Sequence, residues 1–299
     1  MVKFTSAAPF HKNILLWYAS NRRHLPWRKT RQPYRILLSE IMSQQTQVSR
    51  VAQFYRDWIK IFPSFSSVAN ASAADILRAW SGLGYNSRAL RFHRLSKIVA
   101  EEYRSRLPES LDELQSLPGI GRYTAHAVVC FAFGKNIPVV DVNIKRVLTR
   151  WTMKSKNASE QLSENSAWIF AEKFLPKKNA VEWNQALMDF GALVCSARNP
   201  RCSECPVSSY CASAFSKAFL IKKKKKESAE PAWRGIPRRL YRGKILKLLH
   251  HHSCSPREVA AMLWGNQSEQ DIVWTASLME RMTGDGLLTF RRGKYSIIQ

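Results

Sequence analysis

Residues Leu117 to Asp141 read LPGIGRYTAHAVVCFAFGKNIPVVD. A Pro-Gly turn with a second glycine two residues on, Gly119 and then Gly121, runs straight into Ala125, Val128, Val129 and Phe131 at helical spacing. That order predicts a tight hairpin opening a helix. Both glycines permit positive φ and close backbone approach, and exposed amides at the start of the following helix favour a phosphate oxygen. Alone, the stretch fits either an ordinary helix-turn-helix corner or a helix-hairpin-helix that clamps a nucleic-acid backbone.

The surrounding chain bears on that choice. In 299 residues, Lys and Arg total 47 against 22 Asp and Glu, a formal net charge of +25 that favours a polyanionic partner. The run Lys222 to Lys226 supplies only five of those charges. The basicity is therefore spread along the fold, as a nucleic-acid-binding surface requires, with a solubility device or a generally basic proteome as the competing explanation. No apolar run approaches the roughly 18 residues of a membrane span, and the N-terminus lacks the regions of a signal peptide. A soluble intracellular protein is expected. Six cysteines are too few for a disulfide scaffold, and four of them crowd into one short stretch, so a metal centre comes first.

Near the N-terminus, Phe10, Ile14, Leu15, Trp17 and Tyr18 predict a helix, followed by the basic, aromatic segment Asn21 to Arg31. Pro26 stops the helix and leaves Trp27 and Arg28 in a loop. There they line a pocket or stack on a base, or else form a buried Trp beside a surface Arg. From Tyr34 to Ile59 the pattern reads as helical, with Leu37, Glu40, Ile41, Gln44, Val48 and Val51 on one face. A carboxyl on such a stripe loses solvation, rises in pKa and can serve as a general acid; the alternative is a Glu40 paired with one of the many arginines. Gln44, Gln45 and Thr46 can read base edges or fill space opened in a duplex, though a solvated helix turn would look similar.

Helices are further expected over 65–80, 88–104 and 111–117. Between the first two, Gly82-Leu83-Gly84-Tyr85 puts an aromatic on a glycine-rich turn, as a wedge for a base stack or packed over its own glycines. Strand signals are scarce, so the class is mainly α. After the hairpin, Asp141 stands as N-cap of the helix VNIKRVLTRW. A carboxylate held there by helix-terminal amides stays ionised and can stabilise a nearby cationic intermediate while it caps.

The helix WNQALMDFGALV, residues 183–194, carries Asp189 and leads to Cys195, Cys202, Cys205 and Cys211. Four thiolates in so short a loop hold zinc or an iron-sulfur cluster, and the outer gaps of six and five residues do not give the paired knuckles of a zinc ribbon. Iron and sulfur are favoured. Cys130, in the apolar helix after the hairpin, reads as a small core residue. A basic linker follows, and then three helical segments with a hairpin around Arg291-Arg292-Gly293 suggest a winged-helix module that contacts DNA or docks a protein. His250, His251 and His252 are a weaker metal signal than a solvated helix end.

Taken together, LLSEIMSQQTQV around Glu40, GLGY ending at Tyr85, LPGIGRYTA, VVDVNIKRV around Asp141 and the four-cysteine spacing resemble the helix-hairpin-helix DNA glycosylase superfamily, and within it the MutY-type mismatch adenine glycosylases. The resemblance covers roughly residues 10 to 214. It implies a mainly α, two-lobed glycosylase fold over 1–215, with a six-helix lobe at about 30–134 and a cluster lobe from 1–29 and 135–215. A linker at 216–230 and a winged-helix-like domain at 231–299 complete the expected organisation. Many members of that family carry a C-terminal Nudix-like domain that checks for 8-oxoguanine, whereas residues 231–299 look like a winged helix instead, which puts preference for 8-oxoguanine in doubt.

By resemblance, Glu40 protonates the adenine ring and prepares the attacking water, and Asp141 stabilises the oxocarbenium ion. Asn143 partners Asp141, Trp27 and Arg28 match pocket residues, and Gln45 and Tyr85 match residues that intrude beside the lesion. The four cysteines match the ligands of a 4Fe-4S cluster. Tyr123 stands where bifunctional relatives carry the Schiff-base lysine, chemistry that a tyrosine cannot perform. The implied protein is a monofunctional adenine glycosylase acting as a monomer on double-stranded DNA with a mismatched or oxidised base, because the target base must leave the duplex to be reached. It would be cytoplasmic in a prokaryote, and nuclear or mitochondrial in a eukaryote. The alternatives are thymine or uracil removal opposite guanine, and a DNA-binding redox regulator without catalysis.

Overall fold

A computed structural model describes residues 8–154, 160–216, 231–250 and 252–298. The described chain is mainly helical, as the scarcity of strand signals predicts. Its residues fall into two compact units, one drawn from Met1–Ile36, Glu109–Ser116 and Ile120–Lys224, the other from Leu37–Pro108, Leu117–Gly119 and Lys225–Gln299.

In the first unit, α1 (Ala8–Asn21), α9 (Val142–Thr152) and α11 (Ala180–Leu193) pack together. Phe10 meets Trp151 edge-on at 3.9 Å between ring centroids, and Trp183 lies 6.2 Å away on the same ring. These rings are fully buried and form part of the apolar core of this unit. A further helix, α10 (Glu164–Lys173), packs on α9; the sequence reading had no element there. Short α7 (Leu111–Ser116) and α8 (Arg122–Phe131) form the expected hairpin. Gly119 takes φ +88, as the turn requires, but Gly121 does not: it sits extended at φ −93 and ψ 178 as N-cap of α8. A Cβ at Gly121 would meet nothing within 4 Å, so this glycine leaves open space rather than a special backbone angle.

In the second unit, α2 (Pro33–Ser43), whose first turn still belongs to the first unit, and α3 (Val48–Ile61) replace the single helix expected over 34–59. Likewise α4 (Phe65–Ala69) and α5 (Ala73–Trp80) replace one helix over 65–80, because the Ser72 hydroxyl accepts from the Asp75 amide and starts a new cap. With α6 (Ser87–Glu101), they close around Trp58, Trp80 and Phe92, the two tryptophans meeting edge-on at 5.4 Å.

The C-terminal residues form α12 (Arg238–Leu248), α13 (Pro256–Trp264), α14 (Glu269–Gly284) and an antiparallel hairpin of strands Leu288–Arg291 and Lys294–Ile297. The three helices and hairpin match expectation. A second small hairpin, Ala232–Trp233 with Ile236–Pro237, does not, since two-residue strands carry no periodic signal. Buried Asp271 fastens it, accepting from Trp233 Nε1 at 2.7 Å and from Arg234 Nη2 at 2.6 Å. The lysine run and nearly all of the linker lie outside the described residues, as does His251 of the histidine triplet.

Candidate active site and metal centre

Asp141 caps α9 as its sequence position predicts. Its Oδ1 accepts from the Ile144 amide at 2.7 Å, and its Oδ2 accepts from Asn143 Nδ2, also at 2.7 Å. Desolvation nonetheless raises this half-buried carboxyl above the ordinary aspartate value, while the Ile144 and Asn143 donors and Arg146 pull against it. The cap and Asn143 favour the ionised form, as the sequence position of Asp141 predicts, and burial works against them and sets the direction of the shift.

The carboxyl is the end of a longer chain of contacts within the same unit. Arg146 Nη2 donates to Asn143 Oδ1 at 2.8 Å and to the Gly191 carbonyl at 2.6 Å, and its Nε donates to the Cys195 carbonyl at 2.9 Å. One turn on, Arg150 Nη1 reaches Cys195 Sγ at 3.4 Å and the Ser196 carbonyl at 2.7 Å. Gly191 allows the close approach. A Cβ there would stand 2.8 Å from the Asn143 Cβ, a distance real Cβ atoms do not tolerate.

Cys195, Cys202, Cys205 and Cys211 line one pocket together with Arg150, Phe190 and Val194. Burial pushes the Cys205 thiol up to about 11 and the Cys211 thiol to about 12, so thiolates there need a strongly cationic partner, as a coordinating metal provides. Among the described residues no three metal-ligating side chains converge on a point fit for one ion. A cluster that receives each thiolate on a separate iron suits four cysteines spread around a pocket better than one tetrahedral zinc. The residues therefore fit an iron-sulfur cluster, with Arg150 complementing the charge of Cys195.

Trp27 and Arg28 lie in a 3-10 turn, Pro26–Lys29, rather than an open loop, because proline suits the first helical position. Trp27 is buried. Arg28 grips Asp189 of α11 with both terminal nitrogens, Nη1 at 2.7 Å and Nη2 at 2.8 Å, and Arg23 adds its Nε at 2.6 Å. Desolvation raises the fully buried Asp189 carboxyl, but these bonds and charges outweigh it and hold Asp189 below the usual carboxylate range. Tyr123 is half-buried, the second residue of α8.

In the other unit, Glu40 lies half-buried on α2 among buried Leu37, Leu38, Ile41 and Met42. Beyond it the helix ends. Gln44 is half-buried and Gln45 exposed, with Gln45 at φ +54, and across the unit Tyr85 is 60% exposed at φ +49. A left-handed backbone costs a side chain-bearing residue about 1–2 kcal/mol, so both are held against a local preference. What holds them is Arg88, 5% exposed, which donates to the carbonyls of Ile41, Met42, Gln44 and Gly84 and to Thr46 Oγ1. Burial lowers its pKa to about 10.

Sequence reasoning missed Arg88, Arg146 and Arg150 and the partners of Asp189. The only available signal was the pair Arg146 and Arg150, one helical turn apart on the helix leading from Asp141.

A family model described as the HhH-GPD superfamily of base excision DNA repair proteins matches residues 38–173. A second, the iron-sulfur binding domain of endonuclease III, matches 195–211 and so starts and ends on Cys195 and Cys211. The chain is 37% identical over 272 residues to the adenine DNA glycosylase of Mycobacterium tuberculosis, covering 90% of this chain and 84% of that one. It is 44% identical over 196 residues to that of Mycolicibacterium smegmatis, covering 65% and 66%. Among solved structures, a thermostable thymine-DNA glycosylase superposes with a TM-score of 0.64 at 32% identity, over 69% of this chain and 94% of that one.

Proposed function

Because this chain belongs to the adenine DNA glycosylase family within the HhH-GPD superfamily, we propose that it hydrolyses the N-glycosidic bond of adenine mispaired with guanine or 8-oxoguanine in double-stranded DNA. The observation that carries the reading is Asp141, a desolvated carboxyl aimed by the Ile144 amide and Asn143. A carboxylate that burial disfavours in the resting protein gains most when a positive charge develops beside it, as it does on the sugar when the base departs. Glu40, on α2 among buried Leu37, Leu38, Ile41 and Met42 and next to buried Ser39, is the acid that protonates the leaving adenine and then orients water. The cluster supplies a metal-held loop; Cys195, Cys202, Cys205 and Cys211 bind it.

Tyr123 in place of a lysine leaves no amine for a Schiff base, so strand cleavage is absent and an abasic site remains. Gln45 and Tyr85 enter the duplex beside the extruded base. The protein acts as a monomer, and residues 231–299 form a winged-helix module. The test is base release from end-labelled duplexes holding A opposite 8-oxoguanine, A opposite G, or T opposite G, with and without alkali. Cleavage of the adenine strand only after alkali is expected. Cleavage of the T·G duplex alone would overturn adenine as the substrate, and cleavage without alkali would overturn the monofunctional assignment.

A further inference from the structure

Gln45 and Tyr85 are forty residues apart in the chain and have one feature in common besides left-handed backbone: both segments are tied to the same side chain. Arg88 Nη1 caps the end of α2 through Ile41 O at 3.0 Å, Met42 O at 2.9 Å and Gln44 O. Its Nη2 takes Thr46 Oγ1 at 2.9 Å and Gly84 O at 3.1 Å, so the hydroxyl after Gln45 and the carbonyl before Tyr85 share one nitrogen. The guanidinium also lies 5.5 Å from the Trp80 ring centroid and 5.3 Å from that of Tyr85. Its hydrogen-bond partners among the described residues are carbonyls and a hydroxyl, with no carboxylate.

A buried cation usually finds a carboxylate partner; here it is given to two turns instead. We propose that Arg88 is a positioning residue that joins Gln45 and Tyr85 into one rigid wedge, so that both enter the duplex together when the adenine is extruded. The planar fork is essential to this role. A lysine keeps the charge but cannot point separate donors at both turns. The inference rests on the reading that Gln45 and Tyr85 enter DNA.

The experiment follows 2-aminopurine fluorescence beside the target adenine, together with single-turnover base release, in wild type, Arg88→Lys, Gln45→Ala and the Arg88→Lys/Gln45→Ala double variant. Folded fraction is matched by circular dichroism. Arg88→Lys is expected to slow the fluorescence step and base release about tenfold each, and adding Gln45→Ala to it to cost less than a further twofold, against about tenfold in wild type. Should Arg88→Lys fail to fold, Thr46→Val removes one of the shared bonds, and a two- to threefold slowing of the same step is expected. An unchanged fluorescence step in the folded variant, or a Gln45→Ala cost equal in both backgrounds, overturns the wedge. If wild type unstacks the duplex but releases no adenine, the glycosylase reading fails while the fluorescence comparison still decides the role of Arg88.

Discussion

Arg146 holds the main-chain carbonyl of Cys195 at 2.9 Å while the other end of its guanidinium holds Asn143, the side-chain partner of Asp141. A cluster ligand is thus one hydrogen bond, and the carboxyl assigned to catalysis two, from the same arginine. Burial lowers the Arg146 pKa, yet its bonds to Asn143, Gly191 and Cys195 give the cation a fixed place. Arg146→Gln removes a charged donor from Asn143, Gly191, Cys195 and the Val142 carbonyl, a loss of about 1.5–3 kcal/mol per bond to a charged group. We expect iron and sulfide content per chain to fall and base release by the remaining holoprotein to slow at least tenfold. Full cluster content with wild-type release would show that Arg146 links nothing.

The Asp141 carboxyl is raised in the folded protein by burial, so its stabilising contribution is complete below the unfolded aspartate value of about 3.9 and is lost as pH rises through the folded value. At neutral pH the ionised group therefore costs stability. Asn also serves as an N-cap, so Asp141→Asn is expected to unfold at a higher temperature than wild type at pH 7, with the difference shrinking towards pH 4. Base release should drop about a hundredfold or more. Thermal melts across pH check the sign; a variant less stable than wild type at pH 7 contradicts it.

Asp189 has the opposite sign. Its carboxyl is depressed by Arg28 and Arg23, so its contribution is present above about 3.9 and is lost as pH falls through the folded value. Asp189→Asn strands two arginines that share a fully buried partner, a change that costs about 3–5 kcal/mol when one side of a buried pair is removed. Denaturant titration at pH 7 should show that loss, and the gap to wild type should narrow in acid.

Gly191→Ala forces a methyl to within 2.8 Å of the Asn143 Cβ. Overpacking of this kind costs about 1–3 kcal/mol. Because Asn143 must shift, the bond to Asp141 is expected to fail as well, and base release should fall about tenfold with binding of mismatched duplex retained. Equal loss of both would point to general unfolding.

Tyr123→Lys restores an amine at the position where Tyr123 now stands. The expected outcome is a borohydride-trappable covalent complex with abasic DNA that wild type does not form. Trapping by wild type at the same level would assign the lyase chemistry to another residue.

Local chemistry in the chain carried much of this. The cysteine spacing, the Pro-Gly hairpin, the N-cap at Asp141 and the apolar stripe around Glu40 depend on residues close in sequence, and each was legible there. What the tertiary structure alone decided is where the arginines go. Arg88 bonds Ile41 from 47 residues away and Arg146 bonds Cys195 from 49, so no window of periodicity could reveal either. The Arg88 bonds also explain the helix misread over 34–59, whereas the break within 65–80 comes from the local cap at Ser72. A helix over 34–59 satisfies the hydrophobic pattern, but a buried guanidinium that takes the last carbonyls of Pro33–Ser43 offers them a better partner than another turn of helix. Burial raised the Asp141 carboxyl against its cap for a like reason: desolvation is set by everything packed around a group, whereas a cap is set by the next three residues.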